Sequence, residues 1–113
     1  VVAVSRKKER LRFPDNPLGG SIAYHFESLN FNTTERKLNA FYAEFEPSLM
    51  EKAWPHQHAG VELLYLVSGH LDITIGSEVF SLHAGDSIYF DSGVRHSYQR
   101  ATKSRCAAVV VTV

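Results

Sequence analysis

From Val61 to its end the chain is a series of β-prone runs of four to eight residues, each closed off by a tight turn signal. Ser68-Gly69-His70 turns into Leu71–Ile75, where Leu71, Ile73 and Ile75 alternate with Asp72 and Thr74. Gly76-Ser77 fits a two-residue hairpin turn, and Glu78–Leu82 pairs back. His83-Ala84-Gly85-Asp86 turns again, and Ser87–Phe90 and Val94–Arg100 follow, parted by Asp91-Ser92-Gly93. Cys106–Val113 is an apolar, β-branched closing strand. Upstream, Ile22–Glu27 and Leu38–Glu46 are further strands, Asn30–Glu35 is turn-like and Ser48–Pro55 an irregular loop. Eight or so short strands at this spacing, with no long helical periodicity, predict an all-β antiparallel sandwich or barrel.

Length and composition narrow the class. A chain of 113 residues with 44% hydrophobic and 21% charged residues suits one soluble globular domain. No apolar run approaches the ~20 residues needed to cross a bilayer. The single Cys106 excludes an internal disulfide framework, and a cytoplasmic location is the expectation. Net charge is zero but unevenly spread: five of the twelve basic residues lie in the first twelve positions. Residues 1–20 therefore read as a basic linker and first strand region, and 21–113 as the barrel. From Phe13 onward seven basic residues face eleven acidic ones, a poor balance for gripping phosphates. The missing initiator Met suggests a piece of something longer.

Two patches carry the chemistry. The first is His56-Gln57-His58-Ala59-Gly60-Val61-Glu62, followed by Gly69; the second is Gly85-Asp86, Gly93 and His96. On an extended strand residues two apart share a face, so His56, His58 and Glu62 have one parity. A carboxylate among Val61, Leu63 and Leu64 is costly to bury without a positive partner, and a divalent metal is the natural one. Imidazoles and a carboxylate suit zinc, iron, manganese, nickel or cobalt. His25, His70 and His83 lack such company and read as surface or turn residues. Phe41 and Phe45 share one strand face, and Tyr98 and Arg100 share that of His96. They form the expected ligand-binding set, in which Arg100 would pair with a carboxylate. Arg95, of opposite parity, should face solvent, and Tyr65 and Tyr89 should pack.

The stretch HQHAGVELLYLVSG resembles the first cupin motif, and GDSIYFDSGVRH resembles the second. The resemblance implies a cupin-type antiparallel β-barrel (jelly roll, double-stranded β-helix) and one metal held by His56, His58, Glu62 and His96. Two positions depart from the pattern: Asp91 stands where the motif has Pro, and Arg100 where it has Asn. The motifs span Trp54–Arg100. A finer resemblance, through RLRFPDNPLGGSIAYHFESLN, RKLNAFYAEFEPS and GDSIYFDSGVRHSYQR, is to the C-terminal cupin domain of helix-turn-helix bacterial regulators.

That resemblance implies a sensor of transcription regulation, without catalytic residues, that binds a small polar or carboxylate effector. It would reach DNA only through a domain outside this chain. The alternatives are a free-standing metal-dependent cupin enzyme, dioxygenase or isomerase, and a metal-free storage or interaction barrel. The run Val109–Val113, apolar on both faces, adds the expectation of a homodimer. No membrane partner is expected.

Overall fold

The computed structural model describes residues 1–20, 22–47 and 55–113. Among them a 3-10 turn at Lys7–Glu9 precedes nine strands. These are β1 (Arg12–Pro14), β2 (Tyr24–Ser28), β3 (Asn39–Phe45), β4 (Val61–Ser68), β5 (His70–Ile75), β6 (Glu78–His83), β7 (Ser87–Asp91), β8 (His96–Arg100) and β9 (Ala107–Thr112). The loop expected at Ser48–Pro55 falls, but for Pro55, outside the described residues. All ladders are antiparallel, in a six-stranded sheet ordered β1-β2-β3-β9-β4-β7 and a three-stranded sheet ordered β6-β5-β8.

Side-chain alternation decides which face of each strand is inside. On β4, Glu62, Leu64 and Leu66 are buried, while Leu63, Tyr65 and Val67 lie on the outer face. On β5, Leu71 and Ile73 point the same way and meet them. Each such leucine removed from water contributes roughly 1.5–3 kcal/mol. Phe45, Tyr98, Cys106 and Ala108 complete the core between the sheets. The β4–β5 turn depends on Gly69, which has φ +86° and a position where a Cβ would lie 2.7 Å from the Arg105 carbonyl oxygen. Only glycine meets both conditions. At Gly76-Ser77, Ile75 pairs with Glu78 across a two-residue turn whose first residue has φ 61°, as a type II′ hairpin requires.

The expected closed barrel is corrected to two facing sheets. Among the described residues no ladder joins them; two isolated bridges do, Pro47 to Arg100 and His56 to His96. At the first seam Pro47 has no N–H to donate, and the Phe45 carbonyl accepts a hydrogen bond from the Arg100 Nη1 instead of from a neighbouring strand (3.1 Å). At the second, the turn after β7 is fastened by its own side chain. The Gly93 N–H donates to Asp91 Oδ1 at 2.8 Å, so β7 and β8 part instead of pairing.

Two further expectations change here. β9 lies in the middle of the larger sheet, paired to β3 and β4. Val110 packs on the core, and Val109 and Val111 lie half-buried beside Tyr65 and Leu63 within the chain itself, so the valines at 109–113 do not support the expected homodimer. Tyr65 and Tyr89, expected to pack, are 48% and 68% exposed on the outer face of that sheet. Within the basic stretch, Arg12–Pro14 forms an edge strand on β2, and Arg10 and Arg12 reach Glu27 and Glu44 at 3.2–3.9 Å.

Candidate metal centre

Three of the residues singled out in the sequence converge. His58, Glu62 and His96 each offer a ligand atom, and these atoms lie within 4.8 Å of one another. Glu62 reaches the site because β4 pairs it with Phe90 and Thr112, which fixes the pleat that turns it inward. His96 opens β8 opposite Ile75. The backbone N–H of His58 donates to the Ser92 carbonyl at 3.0 Å, tying the loop before β4 to the turn before β8. Gly60, with φ +101°, makes that loop possible, for a Cβ there would overlap the Val113 carbonyl oxygen at 1.9 Å.

The donor atoms are prepared for a cation. His96 is 1% exposed, and its Nδ1 lies 2.8 Å from the Val94 carbonyl. A carbonyl only accepts, so Nδ1 carries the proton and Nε2 is left with a lone pair. That Nε2 is buried without a hydrogen-bond partner. Glu62 is 3% exposed; Tyr98 donates its hydroxyl to Oε2, leaving Oε1 facing His58 Nε2 at 3.7 Å. Burial raises the Glu62 carboxyl above its ordinary value, opposed by the Tyr98 hydroxyl and the nearby imidazoles. Burial lowers His96, which favours the neutral, ligating imidazole. A buried carboxylate and an orphaned imidazole nitrogen aimed at one point fit a divalent ion. The donors form a facial His/His/Glu triad consistent with binding one divalent transition metal.

His56 stands apart from this triad. Residues 57–60 are not in a strand, so the parity that would aim His56 and His58 together does not hold. The His56 Nε2 instead meets Asp15 Oδ2 at 3.0 Å. The Asp15 carboxylate is fully buried, and its other oxygen accepts the N–H groups of Ala23 and Tyr24. Of the expected four ligands, three bring donor atoms within 4.8 Å of one another, and His56 is hydrogen-bonded to an aspartate. Asp15 was missed because it sits in a run of Pro, Asn and Gly that reads only as loop.

A cavity of ≈ 140 Å³ opens beside the triad, with His58 and Glu62 at one end and Tyr24, Phe26, Phe41, Phe45, Tyr98 and Val110 among its walls. Phe41, Phe45 and Tyr98 are therefore where sequence parity put them. Arg100 is not: its Nε, Nη1 and Nη2 donate to the carbonyls of Thr102, Phe45 and Lys103. It shares parity with His96, but it ends its strand, and its side chain folds back over the next turn. Tyr24 and Phe26 were legible from the alternation in Ile22–Glu27. Arg95 is exposed, as its parity predicts.

Residues 41–113 match the family model described as the Cupin domain. The chain belongs to the cupin family. No curated protein sequence matches it. Among solved structures, this cupin is similar to hydroxypropylphosphonic acid epoxidase from S. wedmorenis (TM-score 0.82, 18% identity, 99% of this chain and 59% of that one). It is similar to Fe(II) HppE (0.77, 18%, 99% and 60%). It is also similar to an RmlC-like cupin from Shewanella frigidimarina NCIMB 400 (0.73, 20%, 99% and 90%). At this identity the likeness is one of fold, and the cupin spans about three fifths of the epoxidase chains. These findings overturn the expected kinship with regulator sensor domains. Two of these chains are named as an epoxidase and as Fe(II) HppE and none of the three as a transcription regulator, and the expectations of transcription regulation and a DNA partner are withdrawn.

Proposed function

We propose that this cupin is a metal-dependent enzyme of the oxygenase type, acting on a small molecule held beside the triad. The observation that carries the reading is the donor set: two imidazoles and one carboxylate, converging at the end of an apolar cavity. Two histidines and a carboxylate on one face leave open positions for substrate and oxygen, the arrangement of non-haem iron oxygenases. A bound ion would supply Lewis-acid and redox chemistry at that point. The chain's own residues do the rest. Tyr98 holds Glu62 by one oxygen, Val94 fixes the tautomer of His96, and the aromatic walls keep water from the reacting group. The likeness in fold to Fe(II) HppE supports the same reading.

The test is oxygen uptake by protein reconstituted with Fe(II) without air, then given oxygen and a panel of small alcohols, phenols and carbonyl compounds. Uptake coupled to an oxidised product, and lost in Glu62→Ala, is the expected result. Protein that binds Fe(II) but consumes no oxygen with any compound, and instead isomerises one, would replace the oxygenase with an isomerase.

A further inference from the structure

The cavity beside the triad says what kind of molecule it takes. We infer that the substrate carries an uncharged apolar group about the size of one benzene ring, which fills the aromatic cavity while a single oxygen faces the triad. This rests on the proposed enzyme reading and deepens it.

Size comes first. At ≈ 140 Å³ the cavity is close to the roughly 150 Å³ known to take up a benzene molecule in a dry protein interior. Shape agrees, because the walls are aromatic faces and edges. Tyr24 meets Tyr98 edge-on with centroids 5.4 Å apart, and Phe26 meets Phe41 edge-on at 5.6 Å. A flat ring or a compact branched chain packs against such faces and edges. Charge decides the rest. Of the described residues lining the cavity, none is a lysine or arginine, and the only acid and imidazole among them, Glu62 and His58, belong to the triad. Arg100, among the described residues the one cation whose strand parity aims it inward, is tied to three backbone carbonyls. An anionic group at the aromatic end would lose its hydration and gain no counter-charge. The group that fills the cavity is therefore neutral, which replaces the expected carboxylate effector paired to Arg100.

The experiment compares two para-substituted phenols on the zinc-loaded protein, which is redox-silent, by calorimetry and by chemical-shift titration. 4-Methylphenol places a methyl group in the aromatic end, and 4-hydroxybenzoate a carboxylate. The expected result is binding of 4-methylphenol tighter by about tenfold or more, with shifts at Tyr24, Phe45 and Val110. Val110→Phe, which fills the cavity from its wall, should abolish that binding with zinc content unchanged. Should Val110→Phe not fold, Phe41→Val serves. It widens the same wall and should let 2-naphthol bind where the wild type excludes it. Equal or tighter binding of 4-hydroxybenzoate, or 4-methylphenol binding unmoved by Val110→Phe, would overturn the inference, as would 2-naphthol binding wild type and Phe41→Val alike. Toluene titrated into metal-free protein separates the two readings. Shifts at the cavity residues with no zinc bound in any preparation would sink the metal reading and leave the apolar cavity standing. Zinc binding with no toluene shifts there would do the reverse.

Discussion

The two ends of β8 carry two residues of the same parity, and they end in opposite conditions. His96, at the start, is buried with its Nε2 lacking any hydrogen-bond partner. Arg100, at the end, has Nε, Nη1 and Nη2 each donating to a carbonyl. His96 was a candidate from its place behind Gly85-Asp86 and Gly93, and Arg100 because it shares the strand parity of His96. The difference teaches that parity tells which face a residue starts from, whereas hydrogen-bond accounting tells whether it is free to act. A buried polar atom left unpaired costs roughly 1–3 kcal/mol, and His96 Nε2, converging with donor atoms of His58 and Glu62, recovers that cost when an ion binds. A guanidinium with all three nitrogens on backbone carbonyls has its reach committed to them, and it braces the turn that follows.

The comparison breaks first at the His96 end. Glu62→Ala or His96→Ala should lower metal affinity by more than ~100-fold, since loss of a ligand exceeds the 10–100-fold typical of its supporting residues. Elemental analysis after dialysis against limiting zinc or iron reads this out. Full retention of metal in either variant would mean the ion sits elsewhere. Tyr98→Phe is the next step down. It removes the hydroxyl that holds Glu62 Oε2 and should cost about tenfold or more in affinity by the same reasoning.

The Glu62 carboxyl also makes stability depend on pH in metal-free protein. Burial raises its folded-state pKa above the ordinary 4.5. The proton is therefore held more tightly in the folded chain, and its contribution is fully present below 4.5 and lost as pH rises through the raised value. His96 runs the other way: its pKa is lowered from 6.5, so its contribution is present above 6.5 and lost as pH falls through the lowered value. Denaturant melts across this range on metal-free wild type and Glu62→Gln isolate the first effect. The wild type should lose stability relative to the variant as pH rises. A constant difference between the two would show that Glu62 does not titrate differently on folding.

At the Arg100 end the expected effect is on stability alone. Arg100→Ala deletes three hydrogen bonds to carbonyls and should destabilise the fold by roughly 1–3 kcal/mol, with metal content unchanged in the same preparation. Weakened metal binding would place Arg100 back in the site. The smallest effect is expected at His56. His56→Ala should change metal affinity by less than ~10-fold, because His56 rests on Asp15 and not on the triad.

Much of this was legible in the sequence. The eight strands from Tyr24 to Thr112 fall where short alternating runs and glycine turns put them, because strand periodicity and turn chemistry are local properties. Glu62 stood out as an acid in an apolar run, and His96 as a histidine behind a tight turn. Barrel closure was not legible, because it turns on single groups at the seams, the missing N–H of Pro47 and the Phe45 carbonyl taken by Arg100. The separation of His56 from His58 was hidden for a similar reason. It is set by Asp15, 41 residues away in sequence, and no pattern local to the motif reports it. The bounds of β1 within residues 1–20 were not legible, because three residues, one of them a proline, are too few to show a period.

A crystal structure of the metal-reconstituted protein, with anomalous data at the metal edge, tests the central claim most directly. One peak per chain is expected, in contact with His58, Glu62 and His96, with His56 still on Asp15 and Arg100 on its three carbonyls. A peak that touches neither Glu62 nor His96, or no peak in protein crystallised with excess iron or zinc, would contradict the account.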